Sequence, residues 1–398
     1  MIKTLLTTTI ATALILSCQP NSHEHEMNKI NEITNSVKQK WAPDKRVAIF
    51  NIDSQETAGI ITLTGETNLP EAHNDLINQL KNNKINVIDN INTLPDNNLG
   101  EDHFGIIRLS VANIRSKPAH SAELATQALL GTVVKIFKKS SYWYLVQTPD
   151  DYLAWVDASG ITLVTAKTAD QWKINAKIIY TADYGFSYSA PRADAERVSD
   201  LVAGDLLELL SDSFDYYKVR YPDGRTAFVP NSEADIFTDW LVSEPNVDNI
   251  ICDARKYIGL PYLWGGTSTK NFDCSGFTKI VFYLNGIVLP RDASQQVYTG
   301  HPVDTEDGFD NLVPGDLLFF GKAATDSTRE RITHVGLYMG DTEFIHASGL
   351  VKINSIDSTR SNFNRYRYDT FIRARRIMTS LSENGIQLVK DHPAYVIN

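Results

Sequence analysis

Thiols are scarce in this chain: three cysteines, at positions 18, 252 and 274, in 398 residues. A disulfide-stapled scaffold is thereby excluded, because three cysteines make at most one bridge. Cations are also in deficit. With 38 Lys and Arg against 48 Asp and Glu the net charge is −10, a field that repels polyanions and sets nucleic acid aside as a partner. Long apolar runs are missing as well: one near the N-terminus ends at Leu16, too short to span a bilayer, and none follows it. What remains is ordinary globular material, 42% hydrophobic and 22% charged, with length for two or three domains and a sizeable core.

The opening "MIKTLLTTTIATALILSCQP" has one cation, Lys3, before its apolar and threonine-rich run, the pattern of an export signal. Ile15-Leu16-Ser17-Cys18 resembles a bacterial lipoprotein cleavage box. That resemblance implies a signal peptide over 1–17, a lipidated Cys18 and a polar tether over 18–27, in which His23 and His25 read as spacer rather than metal ligands. The expectation is an exported lipoprotein, anchored to the outer or inner membrane, facing the periplasm and monomeric. Cys252 and Cys274 then remain in an oxidising compartment, where a free thiol needs a reason to exist.

Residues 28–104 alternate helical and strand-like stretches and read as a small α/β lead-in. The next two segments repeat each other at one constant offset and without a gap: Pro118 falls on Pro191, Glu123 on Glu196, Gly131 on Gly204, Tyr144 on Tyr217 and Pro149-Asp150 on Pro222-Asp223. Short β-branched and aromatic strands between Pro, Asp, Gly and Ser turns suit small barrels. The pattern resembles bacterial SH3-like domains in tandem, over 105–165 and 170–240.

From Val247 the texture changes to a helix carrying Ile250, Ile251, Ala254, Tyr257 and Ile258 on one stripe, with Asp248 or Asn249 as cap and Cys252 as a half-buried thiol pointing off the stripe. A second helix is predicted from Cys274 to Gly286, since Phe277, Ile280, Val281 and Leu284 recur at i, i+3, i+4 and i+7 and Asp273 suits the N-cap. The cysteine therefore stands at a helix N-terminus, where unpaired N–H groups and the dipole favour a thiolate and lower its pKa. Its own N–H is placed to serve as an oxyanion donor.

A nucleophile needs a base. "RITHVGLYMG" (331–340) and "EFIHASG" (343–349) read as strands of one hairpin around the "GD" turn at 340–341, which makes neighbours of His334 and His346. One imidazole takes the thiol proton and the other holds it in tautomer and orientation. Two other arrangements use the same residues. A buried cysteine with two satisfied core histidines is the plainer one, and a zinc site is another, although the separations from Cys274 to His334 and from His334 to His346 fit no compact ligand motif.

Over about 247–378 the ordered motifs "PYLWGG" (261–266), "DCSGF" (273–277), "LPRDASQQ" (289–296), "PGDLLFF" (314–320), "HVGLYMG" (334–340) and "FIHASG" (344–349) resemble the NlpC-type, papain-like cell-wall peptidases. That resemblance implies Cys274 as nucleophile, His334 as base, His346 as third polar residue and Tyr262 as support of the oxyanion site. It implies no metal and no organic cofactor. The fold class expected is multidomain α+β: the α/β lead-in, two SH3-like β-barrels, a C-terminal papain-like peptidase domain over 247–380, and a tail over 381–398.

Two SH3-like units ahead of such a peptidase resemble, more narrowly, the γ-D-glutamyl-L-diamino acid endopeptidases, or dipeptidyl-peptidase VI. The implied substrate is a murein peptide with a free N-terminal L-Ala, cleaved to release L-Ala-γ-D-Glu. Recognising that ammonium calls for carboxylates and a hydroxyl in a blind-ended pocket. Asp292, Glu123 and Tyr152 are the candidates, with Ser275 as a further substrate contact where Ala293 replaces the serine common in this group. Arg225 stands where the repeat would place a second Tyr152, so the first unit is expected to close the pocket and the second to act as a spacer. The alternation in "RYRYDTFIRARRI" (365–377) favours a solvated strand face over an anion-attracting patch. The rival functions are an endo-acting hydrolase of intact stem peptides and an inactive, lipid-anchored wall-binding protein.

Overall fold

The computed structural model describes residues 22–213 and 215–397. The expected signal peptide and the expected lipidation site, Cys18, lie outside the described residues. Two compact units divide the chain, Met1–Thr93 and Leu94–Asn398. Among the described residues no helix is long and apolar enough to cross a membrane.

In the first unit, Ile30, Ile33 and Val37 recur at helical spacing along α1 (Ser22–Trp41), which buries that stripe. The helix begins inside the stretch read as a tether, and Met27 already packs at the edge of the core. An antiparallel hairpin follows, β1 (Phe50–Thr57) with β2 (Ile60–Thr67). Helix α2 (Pro70–Asn82) then crosses over to β3 (Ile88–Thr93), which pairs parallel to β2. Leu63, Leu76 and Leu80 close the core against the α1 stripe.

The second unit begins with seven strands: β4 (Phe104–Ile107), β5 (Val111–Arg115), β6 (Leu124–Leu129), β7 (Val133–Ser140), β8 (Trp143–Gln147), β9 (Leu153–Asp157) and β10 (Ile161–Val164). Helix α3 (Ala166–Ile174), capped by Thr165, leads to seven more. These are β11 (Lys177–Tyr180), β12 (Tyr184–Tyr188), β13 (Arg197–Val202), β14 (Leu206–Ser213), β15 (Tyr216–Arg220), β16 (Thr226–Pro230) and β17 (Ala234–Ile236). Every strand of the second set begins at the repeat offset from its counterpart, as Lys177 does from Phe104 and Ala234 from Ile161. The pairing order is shared too. The first sheet runs β10-β4-β7-β8-β9-β5-β6, and the second, read from β17 to β13, repeats it strand for strand.

The expected barrels are open sheets: no ladder joins the end strands of either one. The first sheet shows why. At its end strand β6, the Gln127 N–H donates to Thr267 Oγ1 and the Gln127 side-chain carbonyl accepts from the Thr267 N–H, both at 2.9 Å. An edge occupied by the peptidase domain is not available to β10. The modules are also joined to each other by backbone, with Leu206 N–H on the Leu130 carbonyl at 3.0 Å. Gly131 permits this approach, since a Cβ there would lie 2.3 Å from the Leu206 carbonyl oxygen.

The peptidase domain opens with α4 (Phe237–Leu241) and α5 (Val247–Lys256). Asn246, not Asp248 or Asn249, caps α5, accepting from both of their N–H groups. The helix ends at Lys256, so Ile258 leaves the buried stripe and is 48% exposed. Cys252 is exposed rather than half-buried, and it and Cys274 are free thiols. A small hairpin, β18 (Thr267–Ser268) and β19 (Asn271–Phe272), delivers the chain to α6 (Cys274–Tyr283).

After α6 come β20 (Ile287–Val288), α7 (Ala293–Gln296), β21 (His301–Val303), β22 (Leu317–Lys322), β23 (Arg331–Gly340), β24 (Glu343–Ser348), β25 (Leu350–Ser355), α8 (Arg365–Asp369), β26 (Phe371–Arg376) and β27 (Gln387–Leu388). Six of these strands form an antiparallel sheet in the order β21-β26-β22-β23-β24-β25. Phe277, Ile280 and Val281 of α6 share one core with Val335, Leu337, Ile345 and Ala347 of β23 and β24. Of the stretch 381–398 read as a tail, the described residues 381–397 return to this core: β27 pairs with β20 and Tyr395 packs 5.8 Å from the Tyr283 ring.

Candidate active site

Asp273 starts α6 as the spacing predicts, its Oδ1 accepting from the Gly276 N–H at 2.7 Å. The same carboxylate accepts from the Gly265 N–H at 3.0 Å and from both terminal nitrogens of Arg291, a guanidinium only 1% exposed. A buried ion pair thus fixes the backbone on which Cys274 stands. Ser275 is buried beside it, its hydroxyl held by Arg291 Nη1 at 3.1 Å and by Asp273 at 3.4 Å. The structure therefore places this candidate substrate contact within the support of the helix.

The Cys274 sulfur lies close enough to β23 for the backbone N–H of Val335, the residue after His334, to favour its charged form. The expectation of a depressed pKa is overturned. Burial pushes the thiol up to about 11, the adjacent Asp273 carboxylate adds to this, and the Val335 N–H, Arg291 and the Ser275 N–H only partly offset it. The partial charge at the helix N-terminus is a smaller effect than the loss of water around a cysteine that is 8% exposed.

His334 and His346 meet as the hairpin requires, with His334 Nε2 and His346 Nδ1 2.7 Å apart. The turn between their strands is Asp341-Thr342, one step beyond the "GD" dipeptide, both residues having positive φ as in a type I′ turn. Gly336 leaves room for the pair, since a Cβ there would come within 2.9 Å of the Phe344 ring. Burial holds both imidazoles neutral: His334 is lowered well below its ordinary value and His346 to about 3, with His346 and then the cations Arg367 and Lys352 adding to the depression of His334. At rest the thiol and both rings are therefore uncharged.

The tautomers follow from an asparagine that the sequence did not single out. Asn354 Nδ2 donates to the Asn362 carbonyl at 3.0 Å, a partner that can only accept, so Asn354 Oδ1 must face His346 Nε2 at 2.9 Å. His346 then carries its proton on Nε2 and accepts on Nδ1. His334 in turn donates from Nε2, which leaves its Nδ1 without a proton and able to accept one. Asn364 completes the chain, donating to Asn354 Oδ1 at 3.1 Å while its own oxygen accepts from the Arg367 N–H. Asn354 carries no sequence signal, because "LVKINS" reads as plain strand alternation.

Tyr262 lies close enough to sense the charge of Cys274 and Asp273, and burial together with these raises its hydroxyl pKa, so it remains a donor. Asp292 caps α7 and accepts from the Tyr152 hydroxyl at 3.2 Å, a contact between the first SH3-like module and the peptidase domain. Glu123 of the same module accepts from Trp264 Nε1 at 2.7 Å, at the rim where Trp264 is 63% exposed. The structure thus joins Cys274 to the histidine strand, the histidines to each other, Tyr152 to Asp292, and Glu123 to the "PYLWGG" motif. Among the described residues no group of three His, Cys, Asp or Glu is placed to hold a metal ion.

Residues 259–376 match the NlpC/P60 family and residues 114–161 match the bacterial dipeptidyl-peptidase SH3 domain. A γ-D-glutamyl-L-lysine dipeptidyl-peptidase of Bacillus cereus is 32% identical over 56% of this chain and 67% of its own length. The dipeptidyl-peptidase 6 of Lysinibacillus sphaericus is 28% identical over 63% of this chain and 91% of its own. Among solved structures, an NlpC/P60 family protein from Bacillus cereus superposes with a TM-score of 0.59 at 25% identity, covering 69% of this chain and 99% of that one. Fold, site and likeness define a cysteine peptidase. The chain belongs to the NlpC/P60 family.

Proposed function

We propose that this cell-wall peptidase hydrolyses the γ-D-glutamyl–L-diamino acid bond of murein peptides with a free N-terminal L-Ala, releasing L-Ala-γ-D-Glu. The observation that carries the reading is the Tyr152 hydroxyl on Asp292, with Glu123 of the same module at the rim. Two carboxylates and a phenol suit a primary ammonium, and an acylated alanine nitrogen would bring no charge to them. The names of the bacillar relatives point to the same bond. An acylated Cys18 would hold the enzyme at a membrane facing the wall, and it would act as a monomer.

In the reaction, His334 Nδ1 takes the Cys274 proton as sulfur attacks the γ-carbonyl carbon. The oxyanion forms beside the Cys274 N–H and the protonated Tyr262 hydroxyl. The imidazolium returns its proton to the leaving amine, the C–N bond breaks, and a thioester remains. Water attacks that thioester, His334 takes the water proton and returns it to sulfur, and the dipeptide leaves. His346, fixed by Asn354, keeps the His334 ring in register throughout.

The test compares L-Ala-γ-D-Glu-L-Lys with its N-acetylated form. Acetylation is expected to lower kcat/KM by roughly a hundredfold or more, because it removes the charge that Asp292 and Glu123 would pair with and adds bulk at the same nitrogen. Equal rates would overturn the exo-acting assignment in favour of an endo-acting hydrolase.

A further inference from the structure

Arg367 differs from the other arginines of its stretch. Of the five between 365 and 376, Arg365 pairs with Asp369, Arg373 with Glu330 and Arg376 with Asp316, while Arg375 donates to the Val297 carbonyl. No carboxylate among the described residues pairs with Arg367. Its guanidinium lies 5.6 Å from the centre of the Phe320 ring and 3.4 Å from the Ser348 hydroxyl. A half-buried cation without a counter-ion is costly unless a ligand supplies one.

Its position is tied to the catalytic pair. The Phe320 ring is 5.8 Å from that of His334, and Ser348 stands two residues beyond His346 on the same strand. Asn364, which caps the helix bearing Arg367, is hydrogen-bonded to the Asn354 that orients His346. Arg367 also senses the charge of Cys274 and Tyr262, which places it within electrostatic reach of the sulfur. Charges of opposite sign are therefore supplied by different elements of the molecule. Asp292 and Glu123 stand on the side of α7 and the first module; Arg367 and Lys352 stand on the side of the histidine sheet.

We propose that Arg367 is a subsite for a free carboxylate on the leaving diamino acid, so that the enzyme takes short zwitterionic peptides whose ammonium and carboxylate bracket the scissile amide. This assignment rests on the proposed function and adds its leaving side. The α-carboxylate of the γ-linked glutamate is a second source of the same chemistry, and substrate analogues separate the two.

The experiment measures kcat/KM of the wild type and Arg367→Gln on three peptides: L-Ala-γ-D-Glu-L-Lys, its C-terminal carboxamide, and the analogue with D-isoglutamine in place of D-glutamate. The wild type is expected to prefer the free acid over the carboxamide by roughly tenfold or more, and Arg367→Gln to bring that ratio to within about twofold. Arg367→Lys, which keeps a point charge without the planar fork, should retain part of the preference. A wild-type ratio near one overturns the assignment without any variant. A ratio unchanged in Arg367→Gln also overturns it, as does a collapse confined to the isoglutamine peptide, which would assign the guanidinium to the glutamate. If the wild type cleaves none of the three, the proposed function itself fails.

Discussion

In the first SH3-like module the Pro149-Asp150 turn buries Asp150 against Lys279 of the catalytic helix, at 2.7 Å. In the second, the matching Pro222-Asp223 turn holds Asp223 on Arg225 of its own loop, at 2.8 Å, with the two side chains 18% and 39% exposed. The same divergence recurs at the other paired positions. Tyr152 reaches Asp292, whereas Arg225, its counterpart, lies over the Tyr221 ring and reaches the Arg108 carbonyl of the first module. Both glutamates are exposed, but Glu123 meets Trp264, whereas the Glu196 side chain makes no hydrogen bond or ion pair among the described residues. An identical strand plan therefore leaves function open. The side chains projecting from equivalent positions decide which copy reaches α6, Asp292 and the "PYLWGG" motif.

The largest test of this contrast is stability. Asp150→Asn strands a buried lysine and should cost about 3 kcal/mol in a urea unfolding series, while Asp223→Asn should stay within about 0.5 kcal/mol. Equal effects would erase the difference between the modules. The pH dependence has a definite sign. Burial pushes Asp150 up, but Lys279 and the Thr148 hydroxyl outweigh it and the net pKa is lowered. Its contribution is thus present above the unfolded carboxylate value of about 3.9 and is lost as pH falls through the lower folded value.

Next comes substrate binding. Glu123→Ala should raise KM roughly tenfold with kcat little changed, and Glu196→Ala should leave both within about twofold. The smallest effect is expected of one hydroxyl: Tyr152→Phe should raise KM about fivefold, the worth of one hydrogen bond, while Arg225→Ala leaves KM unmoved. A KM effect in the second module would show that it, too, reaches the substrate.

Much of this plan was legible as local pattern. The constant offset between the two repeats predicted sheets of like order, the apolar positions at helical spacing after Cys274 predicted α6, and Asp273 predicted its cap. What a sequence window does not contain is the environment that tertiary packing supplies. The charge state of Cys274 was misread because the helix dipole is local, while the burial that outweighs it comes from distant elements. The sheets were expected to close because nothing in β6 announces that Thr267 will occupy its edge. Asn354 stayed invisible because its meeting with His346 depends on the register of β24 with β25, which pairs His346 with Lys352 and brings Asn354 onto the same face.

The line of amides behind the histidines has a direction, each nitrogen giving to the next oxygen from Asn364 to Asn354. Spontaneous deamidation of Asn364 would therefore do more than add a negative charge. It would set two acceptors against each other where one donor and one acceptor now meet, and the reference that keeps the His334 base unprotonated on its working nitrogen would loosen. Chemical ageing at a side chain behind the histidine pair would then silence the enzyme while leaving its sulfur, both imidazoles and the Tyr152–Asp292 contact intact.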